Sequence, residues 1–281
     1  MPNLINGKAI AEKIESDVKT RVAALNAKGV IVRLSVILVG DNKASQTYVK
    51  RKSEAAARVG IVFKLHELNA DISKSALIET IQEIQQESIS GLLIQLPLPE
   101  ALYVPDVLNA IDDDIDVDCL TNDNLGRLVT ENPFVTPPTP AAALAILEDL
   151  NVKLSGKNIT IIGMGALVGK PLAIMLVNEG ASVTTCNSRT TNTKDKCRQA
   201  DIVISGVGKK DLIRGDMVKP GAIVIDTGFV FEDGKLMGDV NVEEVSKIAS
   251  HVTPTPGGVG PITVARLLLN TVICAERRHS L

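Results

Sequence analysis

Strand-like apolar runs and helix-period segments take turns along most of this chain, and that alternation is its strongest constraint. Ile10, Ile14, Val18, Val22 and Leu25 recur at spacings of three and four, which predicts an amphipathic helix over 8–28 ending before Gly29. Leu34 to Gly40 reads as a buried strand, 45–59 as a helix stopped by Gly60, Ile61 to Leu65 as a strand, 73–88 as a helix and Gly91 to Leu96 as a strand. The pattern resumes with a strand over 158–163, a helix over 167–179 and strands over 181–186, 201–206 and 221–226. A closing helix carries Ile262, Val264, Ala265, Leu267, Leu268 and Leu269. Strands that alternate with helices form parallel sheets covered on both faces, because each parallel connection needs a crossover. The expected fold class is α/β.

The series is interrupted by two stretches of different character, the second the Pro/Gly segment Thr253-Pro254-Thr255-Pro256-Gly257-Gly258-Val259-Gly260-Pro261 ahead of the closing helix. Residues 111–140 hold the acidic cluster Asp112-Asp113-Asp114-Ile115-Asp116-Val117-Asp118 and the run Thr136-Pro137-Pro138-Thr139-Pro140. A turn-rich stretch between periodic regions marks a boundary, and 281 residues suit two domains of ordinary size. The hydrophobic share of 45% and the net charge of −3 exclude intrinsic disorder. Aromatic residues make up only 2% of the chain, so the core is aliphatic and there is no platform on which to stack bases. With no long Lys/Arg run either, no nucleic-acid partner is expected. Cys119, Cys186, Cys197 and Cys274 form no C-x-x-C pair, and His66, His251 and His279 are dispersed, so neither disulfides nor a metal site is expected. Residues Met1 to Lys8 lack the apolar stretch of a signal peptide, and no apolar run approaches the ~18–20 residues of a membrane helix. A cytoplasmic protein without a membrane partner is the expectation.

Four constellations could carry chemistry. Gly163-Met164-Gly165-Ala166-Leu167-Val168-Gly169 directly follows the apolar run Ile159 to Ile162. Glycines there would let the backbone approach a pyrophosphate, and the helix N-terminus would favour its charge. The spacing is G-x-G-x-x-x-G, and a plain strand-to-helix turn would also use glycine. About 20 residues on, the loop Asn187-Ser188-Arg189-Thr190 offers a hydroxyl and a guanidinium and no carboxylate. That suits a ribose 2′-phosphate, so NADP is expected in preference to NAD, although an exposed loop could look the same. Tyr48 and Lys52 fall at i and i+4 of a predicted helix, within a basic triplet that alone would read as a solvated face. Gln95, ahead of Leu96-Pro97-Leu98-Pro99, ends a predicted strand, where ligands of open α/β sheets bind. Asp118 alone would be one more solvated carboxylate in an acidic loop.

Taken together these pieces match a known pattern. Gly40-Asp41-Asn42-Lys43-Ala44-Ser45-Gln46-Thr47-Tyr48-Val49 with Lys52, then Gln95-Leu96-Pro97-Leu98-Pro99, Asp116-Val117-Asp118 and Pro256-Gly257-Gly258-Val259-Gly260-Pro261-Ile262-Thr263, follow one another in order. The chain resembles the bifunctional methylenetetrahydrofolate dehydrogenase/methenyltetrahydrofolate cyclohydrolase family from about residue 3 to 275. The resemblance implies a folate-binding catalytic domain over 1–120 and a Rossmann-type, parallel-sheet NAD(P)-binding domain over 121–281, with the final helix, about 261–278, packing back on the first. It implies Lys52 as catalytic lysine, Tyr48 against the folate ring and supporting Lys52, Gln95 bonded to the lysine, and Asp118 holding the pterin. Leu96, Pro97, Pro256, Gly257, Gly258 and Pro261 would complete the substrate site. Gly163, Met164, Gly165, Val168, Gly169, Ser188, Arg189 and Phe229 would bind the cofactor, NADP. The implied substrates are tetrahydrofolate derivatives, the implied assembly is a homodimer, and no metal is needed.

The sequence departs from the family pattern at four places. Cys119 stands where glycine is usual, Pro138 where the family has the Cys of Pro-Cys-Thr-Pro, Met164 where it has the Arg of Gly-Arg-Ser, and Asn187 where it often has His. Two rival readings share the glycine turn. A shikimate- or amino-acid-type Rossmann dehydrogenase would not need Gln95-Leu96-Pro97-Leu98-Pro99 with Asp118, and a non-catalytic nucleotide-binding protein would not need Tyr48 with Lys52.

Overall fold

The computed structural model describes residues 3–232 and 235–280; Met1 and Pro2, which open the stretch considered above for a leader, lie outside them. The first series comprises β1 (Asn3–Leu4), α1 (Gly7–Ala27), β2 (Arg33–Val39), α2 (Lys43–Val59), β3 (Val62–Leu68), α3 (Lys74–Gln85) and β4 (Gly91–Ile94). α4 (Pro105–Leu108) follows; the stretch expected to be turn-rich, 111–140, then holds α5 (Asn122–Val129) and the start of α6 (Pro138–Asp149). The second series is β5 (Asn158–Ile162), α7 (Gly169–Asn178), β6 (Ser182–Cys186), α8 (Thr193–Gln199), β7 (Ile202–Ser205) and β8 (Ile223–Asp226). A hairpin of β9 (Val230–Glu232) and β10 (Lys235–Met237) follows, then α9 (Val242–Val245), β11 (His251–Val252) and α10 (Val259–Arg278). These elements form two compact units, one of 12–138 with 264–280, the other of 3–11 with 139–263.

The first unit is built on a parallel three-stranded sheet in the order β3-β2-β4. β2 is its centre, and its side chains alternate between two cores. Leu34, Val36 and Leu38 pack with Val18, Val22 and Leu25 of α1, while Ile37 and Val39 pack with Leu77, Ile81 and Ile84 of α3. The chain leaves β2 through α2 to reach β3 on one side, then crosses through α3 to β4 on the other. Strand order therefore reverses beside β2, the position outside whose carboxyl end α/β sheets bind ligands. α10 is long and apolar enough to cross a membrane by length and composition alone. Leu267, Leu268, Val272 and Ala275 from it are instead buried in the core of this unit. Its Asn270 Nδ2 donates to Val117 O and Thr136 O, both at 2.8 Å.

The second unit carries a fully parallel six-stranded sheet in the order β1-β11-β8-β7-β5-β6. Here too the order reverses, between β5 and β7. The boundary expected at 120/121 differs from these units at both ends of the chain. β1 pairs with β11, Asn3 opposite His251 and Leu4 opposite Val252, so residues 3–11 belong with the large sheet. Residues 121–138 and 264–280 belong with the small one. The proline run ends in a helix, not a loop: Pro138 and Pro140 sit in the first turn of α6, where a missing N–H breaks no intrahelical bond.

Candidate active site

In the first unit, α2 starts directly beyond β2. Asn42 caps it, its side-chain oxygen accepting from Ala44 N at 3.0 Å and Ser45 N at 3.1 Å. The helix brings Tyr48 and Lys52 onto one face. Gln95 N donates to Ile37 O at 2.8 Å, so Gln95 extends β4 by one residue beside the carboxyl end of β2. Its amide is oriented at both ends: Nε2 donates to Leu96 O at 2.6 Å, and Oε1 accepts from Lys52 Nζ at 3.0 Å. The Leu96–Pro97 peptide is cis.

Electrostatics separate this lysine from its neighbours. Burial pushes the Lys52 ammonium below its ordinary range, and the charge of Asp118 opposes the shift. Burial likewise raises the Asp118 carboxyl, opposed by Lys52. The two groups therefore feel each other across a poorly solvated space, and a lysine so placed gives up its proton more readily than one in water. Burial also raises the Tyr48 hydroxyl, opposed by Arg51, whose guanidinium carbon lies 5.9 Å from the Tyr48 ring centre.

Asp118 sits on a pinned segment. The fully buried Asp116 accepts at Oδ2 from Leu120 N and Thr121 N, both at 2.9 Å, and from Asn124 Nδ2 at 3.1 Å. On the other side Val117 O is held by Asn270. Asp116 thus secures the turn that carries Asp118.

In the second unit, the glycine turn follows β5 as expected. Gly163 has φ 97°, and a Cβ there would lie 2.5 Å from Gly206 O. A Cβ on Gly169 would lie 1.9 Å from Gly163 O, so both positions require glycine. α7 begins at Gly169 without a side-chain cap; Lys170 N donates to Gly165 O at 3.1 Å and Pro171 has no N–H, so it is the Gly169 N–H that this helix start can offer to an anion. Gly163 N donates to Cys186 O at 2.9 Å, joining this turn to the end of β6. The loop beyond β6 is an exposed turn in which Arg189 N donates to Asn187 Oδ1 and Asn187 N to Thr190 Oγ1, both at 2.9 Å. Ser188 and Arg189 are exposed on it, Gly165 is exposed on the glycine turn, and Met164 and Val168 are half-buried. Phe229 follows β8, half exposed, its ring edge-on to Phe231 at 6.5 Å. Pro256, Gly257, Gly258 and Pro261 form the loop and first turn leading into α10, with a cis Thr255–Pro256 bond and Gly257 at φ 100°. An uncapped helix start, an open glycine backbone, a hydroxyl and a guanidinium without a competing carboxylate fit a dinucleotide carrying a 2′-phosphate.

Known proteins bear out the resemblance. The family model described as tetrahydrofolate dehydrogenase/cyclohydrolase, catalytic domain, matches residues 5–118. The one described as tetrahydrofolate dehydrogenase/cyclohydrolase, NAD(P)-binding domain, matches residues 137–279. The chain belongs to the tetrahydrofolate dehydrogenase/cyclohydrolase family. The bifunctional protein FolD of Nautilia profundicola is 46% identical over 97% of both chains. The crystal structure of the bifunctional enzyme FolD from Campylobacter jejuni superposes with a TM-score of 0.95 at 43% identity, covering 98% of this chain and 99% of that one. The Trypanosoma brucei methylenetetrahydrofolate dehydrogenase-cyclohydrolase, complexed with NADP and an inhibitor, gives 0.95 at 37% identity over all of both chains. Full-length membership sets aside the two rival readings.

The structure also accounts for two of the departures from the family pattern. Cys119 has φ 56°, the left-handed region where glycine is at ease and another residue gives up about 1–2 kcal/mol. Its side chain is fully buried, with Sγ 3.7 Å from Val135 O, so packing offsets that cost. Pro138 is compatible because it opens α6. Sequence reading missed two buried carboxylates of the second unit, Asp226 and Asp239. A charged residue closing the apolar run Ile223-Val224-Ile225 was the available signal.

Proposed function

We propose that this protein oxidises 5,10-methylenetetrahydrofolate to 5,10-methenyltetrahydrofolate with NADP and then hydrolyses the product to 10-formyltetrahydrofolate, with Lys52 handling the protons. The observation that carries the site assignment is the half-buried Lys52, bonded to the oriented Gln95 amide and offset by Asp118. NADP, when bound, supplies the acceptor for the hydride that leaves the methylene carbon. Gly163, Gly165 and the start of α7 would hold its pyrophosphate, Ser188 and Arg189 its 2′-phosphate, and Met164, Val168, Gly169 and Phe229 would border it.

Asp118 accepts from adjacent N–H donors on the pterin edge, because one carboxylate offers two oxygens for two parallel bonds. Tyr48 lies along the folate ring and keeps water from Lys52. Leu96 and Pro97 border the substrate beside Gln95. In the hydrolysis, water oxygen bonds to the electrophilic methenyl carbon and its proton passes to Lys52 Nζ. The lysine returns that proton to the departing ring nitrogen as the carbon–nitrogen bond breaks, and the remaining hydroxyl proton leaves to solvent as the formyl C=O forms, so the cation plus water gives the neutral product and one proton. Gln95 Oε1 fixes Nζ throughout.

The protein works in the cytoplasm, a reading supported by four cysteines that are all free and buried, as a reducing compartment allows. It is a homodimer joined through the cofactor-binding unit. β6 supports this, since it is an edge strand pairing with β5. The test of function is spectrophotometric. The protein incubated with 5,10-methylenetetrahydrofolate and NADP should generate NADPH and then 10-formyltetrahydrofolate. NADPH formation without loss of the methenyl absorbance would remove the second activity.

A further inference from the structure

Two carboxylates in the second unit are buried without a role in the chemistry above. Asp239 is fully buried and Asp226 nearly so. Asp239 gathers three donors at the carboxyl end of β7: Ser205 Oγ and Val207 N reach Oδ2, and Lys209 N reaches Oδ1, all at 2.7 Å. Asp226 gathers Gly228 N and Val240 N, both at 3.0 Å, and Thr255 Oγ1 at 3.4 Å. The two sets interlock. A Cβ on Gly228 would lie 2.3 Å from the Asp239 carboxylate, and one on Gly238 would lie 2.0 Å from Asp226 Oδ2. Thr227 completes the brace, its N and Oγ1 donating to Ser205 O at 2.7 and 2.8 Å.

Buried carboxylates cost several kcal/mol of desolvation, which apolar packing would not incur. What this pair achieves is local. It fixes the loops 206–209 and 227–229, on which Val207 and Phe229 stand 47% and 46% exposed. Neither carboxylate bonds to the glycine turn or to the loop after β6. In a sheet of this order the dinucleotide crosses the reversal between β5 and β7, with its adenosine half on the β6 side. The nicotinamide half therefore falls toward β7 and β8, where these loops lie.

We infer that Asp239 and Asp226 are positioning residues that shape the loops after β7 and β8 for the nicotinamide half of the cofactor, while binding of the adenosine half does not depend on them. This rests on the NADP reading above. The test is calorimetry on the full chain with NADP and with adenosine 2′,5′-bisphosphate, which carries the adenosine half alone. Wild-type affinity for both probes checks the NADP reading separately. Asp239→Asn turns an acceptor oxygen into an NH₂ facing N–H donors. It should raise the NADP Kd about tenfold or more and leave the bisphosphate Kd within about twofold. Ser205→Ala, a milder change that removes one donor, should move NADP in the same direction and the bisphosphate not at all. It decides the matter alone if Asp239→Asn does not fold. Equal weakening of both probes, or no change in NADP affinity, would overturn the assignment.

Discussion

At the scale of single residues, function depends on which charges are kept from water. Asp118 is raised by burial and steadied by Lys52, so its carboxylate is ready for a partner with paired N–H donors. Asp118→Asn replaces one acceptor with an NH₂ aimed at those donors. Folate affinity should fall by the equivalent of about 1.5–3 kcal/mol while NADP affinity holds. Calorimetry showing unchanged folate binding would return Asp118 to the role of a solvated loop residue. The proposed cofactor contacts turn on Arg189 and Met164. One charge-assisted contact to a 2′-phosphate is worth roughly ten- to a hundred-and-fifty-fold in affinity. Arg189→Ala should therefore shrink the NADP preference and leave NAD turnover nearly unchanged, whereas Met164→Arg should enlarge the preference. The measurement is kcat/KM for both cofactors. A preference that Arg189→Ala leaves intact would make that loop ordinary surface.

At the scale of elements, position came from pieces that the sequence announced with unequal clarity. β2, buried on both faces, and α2, opened by Asn42 and closed by Gly60 at φ 83°, carry strong local signals and were legible. β1 and β11 are two residues each, and β9 and β10 three, too short for any periodicity to show. α6 was hidden because its first turn is proline, which reads as a breaker unless the helix start is already known. The same limit explains Asn270, whose value lies in two carbonyls far along the chain. Asn270→Leu would strand the buried Val117 O, a loss of about 1–3 kcal/mol, and the part-buried Thr136 O, which solvent can partly satisfy. Denaturant unfolding should show a loss of roughly 1–3 kcal/mol. A stability unchanged from wild type would mean that those carbonyls find other donors.

At the scale of the whole molecule, pH and the division of labour are the accessible readouts. Asp226 is pushed up to about 7, chiefly by burial and further by Asp239, against hydrogen bonds from Val240, Gly228 and Thr255. The folded state thus holds this proton more tightly than the unfolded chain, where the ordinary value is 3.8. Below 3.8 the group is neutral in both states and neutral in effect; stability then falls as pH rises toward 7 and levels off above it. The difference in thermal stability between wild type and Asp226→Asn should follow that slope, and a flat difference would contradict the buried-carboxylate account. Of the proposed site, Tyr48, Lys52, Gln95 and Asp118 stood out in the sequence because their motifs are local strings. Asp116, Asp226 and Asp239 were not, because their work is to satisfy backbone donors brought near by tertiary structure. The most direct test of the account is Lys52→Met, assayed for methenyltetrahydrofolate hydrolysis alongside NADP binding. Loss of hydrolysis by about 10²–10⁴-fold with NADP affinity unchanged is the predicted result; hydrolysis at the wild-type rate would contradict it.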